Sequence, residues 1–218
     1  MDFETLDILY RSRQTLLQIL KAKGYNTVPF EKFGPFEIEM MSSDNKEKTL
    51  NMELKRELPE GSKSPTICRV EYAIPRVKNR LPGFLNRLLT DEDGTDVINT
   101  DTTEIIVITL EAIGDTFNSH ALREWSKRSL RIAFFDAHTL MSNPMEHVLV
   151  PRHEIVPEDE HAELLKKYNM KSKTNLPIIR FHEDIIARIL GLIPGSIVKI
   201  TRPSPSAGEY ILYRVCVP

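Results

Sequence analysis

Apolar residues recur at three- and four-residue steps from Phe3 onward, with Leu6, Leu9, Leu16 and Leu20 set among Arg11, Arg13 and Lys21, and Gly24 follows at once. This spacing predicts an amphipathic helix over 3–23 with a glycine stop. Between Phe30 and Tyr72 the period shortens. Residues 36–40, 50–55 and 67–72 alternate apolar with charged positions, which predicts half-buried strands of a small sheet. The stretch 75–101 has neither period: Pro75, Arg76, Lys78, Arg80, Pro82, Gly83 and Arg87 lead into an acidic run over 91–96, and a long exposed loop or insertion is expected. Residues 104–110 form a continuous β-branched run, as in a strand covered on both faces. A polar turn over 114–120, a helix over 121–130 and a second strand over 130–135 are expected after it. Strand, helix, strand is a crossover unit, so the first part of the chain reads as α/β with a partly parallel sheet.

The last quarter carries a different pattern. Acidic residues follow Pro157, and Lys166 and Lys167 close the segment, an order that complements a helix dipole at both ends. A short helix is expected to start on Asp184, bury Ile186 and Ile189 or Leu190, and stop at Gly191. Pro194-Gly195 signals a turn, and the β-branched run after it is answered, across a Pro/Ser/Gly loop, by a second run through Tyr210 and Tyr213. That is a β-hairpin. Helix, helix and hairpin make a small α+β module, and the cluster Pro144, Pro151 and Pro157 marks its entry. The expected domains are 1–145 and 146–218.

At 218 residues, 41% hydrophobic and 28% charged, the chain is in the globular range. No apolar run approaches the roughly 20 residues of a bilayer span, and no basic n-region precedes an apolar h-region, so a chain neither secreted nor membrane-bound is expected. Cys68 and Cys216 stand alone, which points to neither a disulfide framework nor a thiolate zinc site. A net charge of -2 argues against coating nucleic acid by charge alone, leaving local contact at most.

Two motifs carry a resemblance. Gly191 and Gly195 frame a turn; Lys199-Ile200-Thr201-Arg202-Pro203-Ser204 closes a strand; Ala207-Gly208-Glu209-Tyr210 and Tyr213-Arg214 follow. Upstream stand Glu146, His147, Leu149, Val150, Pro151 and His153. In this order the motifs resemble the C-terminal assembly domain of the fifth subunit shared by the eukaryotic nuclear RNA polymerases, a family with an archaeal RNA polymerase counterpart. The N-terminal helix ending in Gly24-Tyr25 is similar to the start of that family. The resemblance implies an α/β jaw domain like a restriction-endonuclease sandwich, followed by the small α+β module. It implies a non-catalytic structural subunit of RNA polymerase I, II and/or III, in the nucleus or nucleolus, without cofactor, metal, catalytic residue or small-molecule substrate. Its partners would be the largest subunit, neighbouring core subunits and, weakly and without sequence preference, downstream duplex DNA. The chain departs from the family at Pro205, where an acid is usual, at Glu209, where a base is usual, and at Ile185, where proline is usual. These departures are compatible with a divergent copy.

Candidate partner contacts are His147, Pro151, His153, Lys199, Arg202, Tyr210, Tyr213 and Arg214. Faces alternate along a hairpin, so one face can pack on the helices while the other presents tyrosines and arginines, residue types enriched in interface hot spots. The plainer reading makes the tyrosines core. Arg76, Lys78, Arg80 and Arg87 are candidates to follow a DNA backbone, or simply a solvated loop. The turn over 114–120, containing Ser119, is the segment that approaches downstream DNA in the family, although its sequence departs from the family pattern. His147, His153, His161 and His182 match no metal-ligand spacing. Two rivals stay open. Asp44 with Glu53-Leu54-Lys55 has the form of a metal-dependent nuclease site, and the assembly module could belong to a free-standing regulator that binds polymerase.

Overall fold

Helix α1 (Phe3–Ala22) begins on Asp2, whose carboxylate accepts from the Thr5 N–H at 3.0 Å, and ends before Gly24, which takes φ 86°. The computed structural model to which it belongs describes residues 2–43, 50–58, 64–74, 76–90, 98–100 and 102–218. The chain divides into two compact units, Met1–Asn143 and Pro144–Pro218.

In the first unit α1 buries Leu6, Ile8, Leu9, Leu16, Leu17, Ile19 and Leu20. Phe3, expected on that stripe, is 86% exposed in the first turn. Arg13, expected outside, is buried, because it stands one turn from both Leu9 and Leu17 on the inward face. Its Nη1 donates to the Leu50 carbonyl at 2.8 Å and its guanidinium lies 5.8 Å from the ring centres of Phe33 and Tyr72. Residues 36–40, expected as a strand, belong to helix α2 (Pro35–Ser43). Pro35 presets the first helical φ, and the Glu37 carboxylate reaches back to the Gly34 N–H at 3.0 Å, so end effects override a short alternating pattern.

Strands β1 (Met52–Lys55) and β2 (Ile67–Ala73) pair antiparallel. Strands β3 (Thr103–Thr109) and β4 (Ile132–Asp136) follow, β2 to β3 and β3 to β4 both running parallel, in the order β1-β2-β3-β4. The expected crossover between β3 and β4 is helix α4 (Asp115–Arg128), but it starts six residues early. The polar stretch over 114–120 is its first half rather than a turn: Phe117 is buried one turn from Ala121, with its ring 5.2 Å from that of Phe134.

Over its described middle, the stretch 75–101 is not the long exposed loop its composition suggests. It contains helix α3 (Leu81–Leu89), whose Leu81, Leu85 and Leu89 share one core with Val77, Ile105, Val107, Phe117 and Phe134. Parallel neighbours such as β2 and β3 cannot be joined by a tight turn, so a crossover element is required there, and α3 supplies it. The Glu111 carboxylate accepts from the Val77 and Lys78 N–H groups at 3.0 and 2.9 Å and fixes the entry to α3. Pro75 and the acidic run 91–96 lie outside the described residues.

The second unit is a mixed α+β fold. Strand β5 (Arg152–Val156) precedes helix α5 (His161–Lys167); strand β6 (Ile178–Arg180) precedes helix α6 (Ile185–Leu190); β7 (Ile197–Ser204) and β8 (Gly208–Val217) close the chain. The sheet runs β5-β7-β8-β6. The hairpin and α6 follow expectation: Asp184 accepts from the Ile186 and Ala187 N–H groups at 2.8 and 3.0 Å, and Gly191 stops the helix at φ 85°. The segment between Pro151 and Pro157, at the entry the prolines mark, is β5. It and β6 are too short to show a pattern of their own, and the open edges of the hairpin recruit them.

Candidate partner-docking site

The β7–β8 register sorts the candidate residues. Ile197 pairs with Val215, Lys199 with Tyr213 and Thr201 with Ile211 on one face; Val198 pairs with Arg214, Ile200 with Leu212 and Arg202 with Tyr210 on the other. Ile197 and Val215 join Val156, Leu164 and Leu176 in one core cluster, so that face is covered near its base. Val198, Ile200 and Cys216 on the opposite face are equally buried. Exposure therefore grows along the hairpin toward its tip. The expected division into one packed and one presenting face does not hold.

Tyr213 is half-buried. It packs against the cluster of Val156 and Leu164, and its ring lies 5.7 Å from that of Tyr168. Arg214 is structural too, donating through Nη1 to the Ile178 carbonyl at 3.0 Å and tying β6 to β8. Lys199 Nζ is 3.6 Å from the Glu154 carboxylate, which Arg152 also approaches, at 2.6 Å. Arg202 is exposed, and its register partner Tyr210 is 55% exposed, so these two remain presented.

The second motif builds a turn. His147 Nδ1 accepts from the Leu149 N–H at 3.2 Å, its carbonyl accepts from the Val150 N–H at 2.8 Å, and the His153 ring donates through Nδ1 to the Pro151 carbonyl at 2.6 Å. This bonding holds Val148 and Leu149 outward, 91% and 82% exposed. The motif drew attention to its histidines and proline, whereas the apolar pair between them is what the turn displays. Arg152 pairs with Thr201, so this turn and the hairpin tip leave the sheet at the same end. Ile211, 42% exposed, adds to the apolar surface there. This end shows Tyr210 and Arg202, residue types enriched in hot spots, beside the exposed apolar Val148, Leu149 and Ile211.

His161 is buried with Nε2 3.0 Å from the Val156 carbonyl, and burial pushes the His182 imidazole below its ordinary range. Among the described residues no three His, Cys, Asp or Glu side chains converge as metal ligands do. Glu53 and Lys55 lie on the exposed side of β1, 3.9 Å apart, and Arg69 Nε occupies the Glu53 carboxylate at 3.2 Å. Asp44, the remaining member of that set, lies outside the described residues.

In the first unit Arg76, Lys78, Arg80 and Arg87 are all exposed. They flank or ride on α3 as the solvent side of a packed helix. Ser119 is exposed on α4, its hydroxyl donating to the Asp115 carbonyl at 2.6 Å. Both helices pack on the Ile105 and Val107 face of the sheet, so these candidates belong to one side of the unit. A second charge cluster, unforeseen in the sequence, is internal. The Glu104 carboxylate meets Lys23 Nζ at 2.6 Å, the Tyr25 hydroxyl at 2.9 Å, and the Arg131 guanidinium. Burial works to raise the Glu104 carboxyl, but Lys23 and Arg131 outweigh it and hold it at about 2. Burial pushes the neighbouring Cys68 thiol up.

Residues 142–216 match the family model described as the C-terminal domain of RNA polymerase Rpb5. The chain is 42% identical over 102 residues to the DNA-directed RNA polymerases I, II, and III subunit rpabc1 of Dictyostelium discoideum, covering 46% of this chain and 51% of that protein. It is 49% identical over 78 residues to the corresponding subunit of Caenorhabditis elegans, covering 36% of each. It is 49% identical over 72 residues to the DNA-directed RNA polymerase subunit Rpo5 of Nitrosopumilus maritimus, covering 33% of this chain and 84% of that protein. Against its eukaryotic relatives the chain thus aligns over about half of their length or less, whereas it covers most of the archaeal one.

Proposed function

Since the chain belongs to the family of the RNA polymerase Rpb5 C-terminal domain and archaeal Rpo5, we propose that it is a non-catalytic structural subunit of a nuclear DNA-dependent RNA polymerase. The observation that carries this reading is the match of one compact unit to nearly a whole archaeal subunit: residues 142–216 fall within the family model, and the unit is Pro144–Pro218. A module that serves alone as a polymerase subunit in archaea is the assembly part here. It docks on the largest subunit and neighbouring core subunits through the end of its sheet, with Val148, Leu149, Arg202 and Tyr210 outermost.

The first unit is the jaw. Its mixed sheet between helices is compatible with a restriction-endonuclease-like sandwich, and the exposed bases on and just before α3, with Ser119 on the neighbouring α4, supply the side that approaches downstream DNA through phosphate contacts alone. The nuclease rival loses ground because Glu53 is already paired to Arg69 and a carboxylate so engaged is poorly placed to hold a cation.

The test is purification of the tagged chain from its own cells at moderate salt, with mass spectrometry of its companions. Recovery of the two largest polymerase subunits in near-equal amounts is the expected result, and the identity of the largest one assigns polymerase I, II or III. Recovery of the chain alone sinks the subunit reading; a large unbound pool beside substoichiometric polymerase favours a regulator.

A further inference from the structure

We propose that Ser204 is a phosphoacceptor for a proline-directed protein kinase, and that its phosphate pairs with Arg202 and neutralises that guanidinium at the docking end of the sheet. The second half of this statement rests on the docking role proposed above; the first does not.

Two serines precede proline, Ser64 and Ser204, among the described residues. A kinase that surrounds the position after the acceptor with apolar surface favours proline there, since any other residue would bring an N–H with no partner. It must also draw the acceptor segment out as an extended strand. Ser64 is poorly suited. The Pro65 carbonyl accepts from Arg56 Nε at 2.7 Å and the Tyr25 hydroxyl at 3.3 Å, and the Thr66 N–H donates to the Thr102 carbonyl at 2.8 Å, so that segment is tied into the first unit. Ser204 stands at the tip of the β7–β8 hairpin, where 205–210 are all exposed. Ser204 itself is half-buried at the end of the ladder, paired with Gly208, and beyond that pair what holds the tip is slight: the Ala207 N–H to Ser204 Oγ at 3.3 Å, the Glu209 N–H to the Ala207 carbonyl at 2.9 Å, and Ser204 and Ser206 hydroxyls 3.5 Å apart.

The transfer balances with ATP as donor. Ser204 Oγ attacks the γ-phosphorus, the new O–P bond forms as the bond to the β–γ bridging oxygen breaks, ADP departs, and the hydroxyl proton passes to the kinase's carboxylate base. The product carries close to two negative charges and several strong acceptor oxygens. Arg202 is two residues back on the same strand, hence on the same face. Its position is exposed, and no ion pair involves it among the described residues. Across the register Ser204 faces Gly208, which has no side chain to obstruct the phosphate, while Glu209 pairs with Pro203 on the other face. A charge-assisted bond between phosphate and guanidinium is the arrangement left open.

The experiment uses the full chain with ATP and a purified cyclin-dependent kinase, read by intact mass and fragment mapping. One phosphoryl group on Ser204 is expected, and Pro205→Ala, which keeps the acceptor and the tip hydrogen bond, should lose most of it. Phosphorus NMR then follows the second ionisation of the phosphate. It is expected to fall below the value of about 6 of a free phosphoserine and to return there in Arg202→Ala. No label at Ser204, label at Ser64 or Ser206 instead, or an ionisation indifferent to Arg202→Ala overturns the proposal. Both readouts use the isolated chain, so they fail separately from the docking reading, which is judged by whether unmodified chain recovers polymerase subunits.

Discussion

Lys23 Nζ lies 2.6 Å from Glu104 Oε1 in the interior of the first unit, linking the end of α1 to the start of β3. Glu104 also takes the Arg131 guanidinium from the approach to β4, so one carboxylate joins three elements. Removing it leaves two buried cations facing each other, a worse outcome than losing a surface pair. Glu104→Gln is therefore expected to cost about 3–5 kcal/mol at neutral pH, read as a lower denaturant midpoint of the first unit's transition.

The same carboxylate sets an acid limit. Its folded value of about 2 lies below the ordinary 4.5, so its contribution is complete above pH 4.5 and is lost as pH falls toward 2. At about 1.36 kcal/mol per unit the full difference is about 3 kcal/mol. Denaturant midpoints measured from pH 5 to pH 2 should fall in the wild type, with a visibly flatter fall in Glu104→Gln. Equal slopes in the two proteins would contradict the pairing.

Helix α3 offers a sharp contrast between neighbours. Leu85 is 2% exposed within the core of Val77 and Phe117, whereas Arg87 points to solvent. Leu85→Ala should destabilise by about 2–5 kcal/mol, and Arg87→Ala should stay within about 0.5 kcal/mol. If both are silent in urea unfolding, the stretch is a loop after all.

The two hairpin tyrosines separate stability from docking. Tyr213→Ala removes a half-buried ring packed on Tyr168 and the core and should cost about 1–3 kcal/mol. Tyr210→Ala should leave thermal unfolding almost unchanged but reduce recovery of polymerase subunits. An opposite assignment of the two effects would place the docking face on the Lys199 side.

Leu149→Asp gives an independent check of the turn. Since Leu149 is 82% exposed, the substitution should change stability by less than about 0.5 kcal/mol. Placed in a desolvated contact, the same carboxylate should cost a factor of ten or more in co-purification, about 1.4 kcal/mol. Undiminished recovery would remove this turn from the interface.

Local rules determined much of this chain from its sequence. The glycine stop of α1, the Asp184 cap and Gly191 end of α6, and the hairpin between Ile197 and Val217 all depend on neighbours a few residues apart, and all were legible. So was the family, since its two motifs sit within turns and strand ends. Tertiary structure alone decided the rest. Alternation over 36–40 looked like a strand until Pro35 and Glu37 closed a helix, and the basic stretch holding α3 looked like a loop because the need for a crossover exists only once β2 and β3 are parallel. Arg13 and Glu104 carry charges whose buried partners no local pattern reveals. They are buried because partners distant in the chain, Leu50 for one and Lys23 and Arg131 for the other, meet them there. In the hairpin, residue types identified Tyr210 and Tyr213 alike; packing against Leu164 of α5 half-covers Tyr213, while Tyr210, on the other face near the tip, stays exposed. Spacing along a chain records which residues can share a face, and only the packed neighbours settle which face meets water.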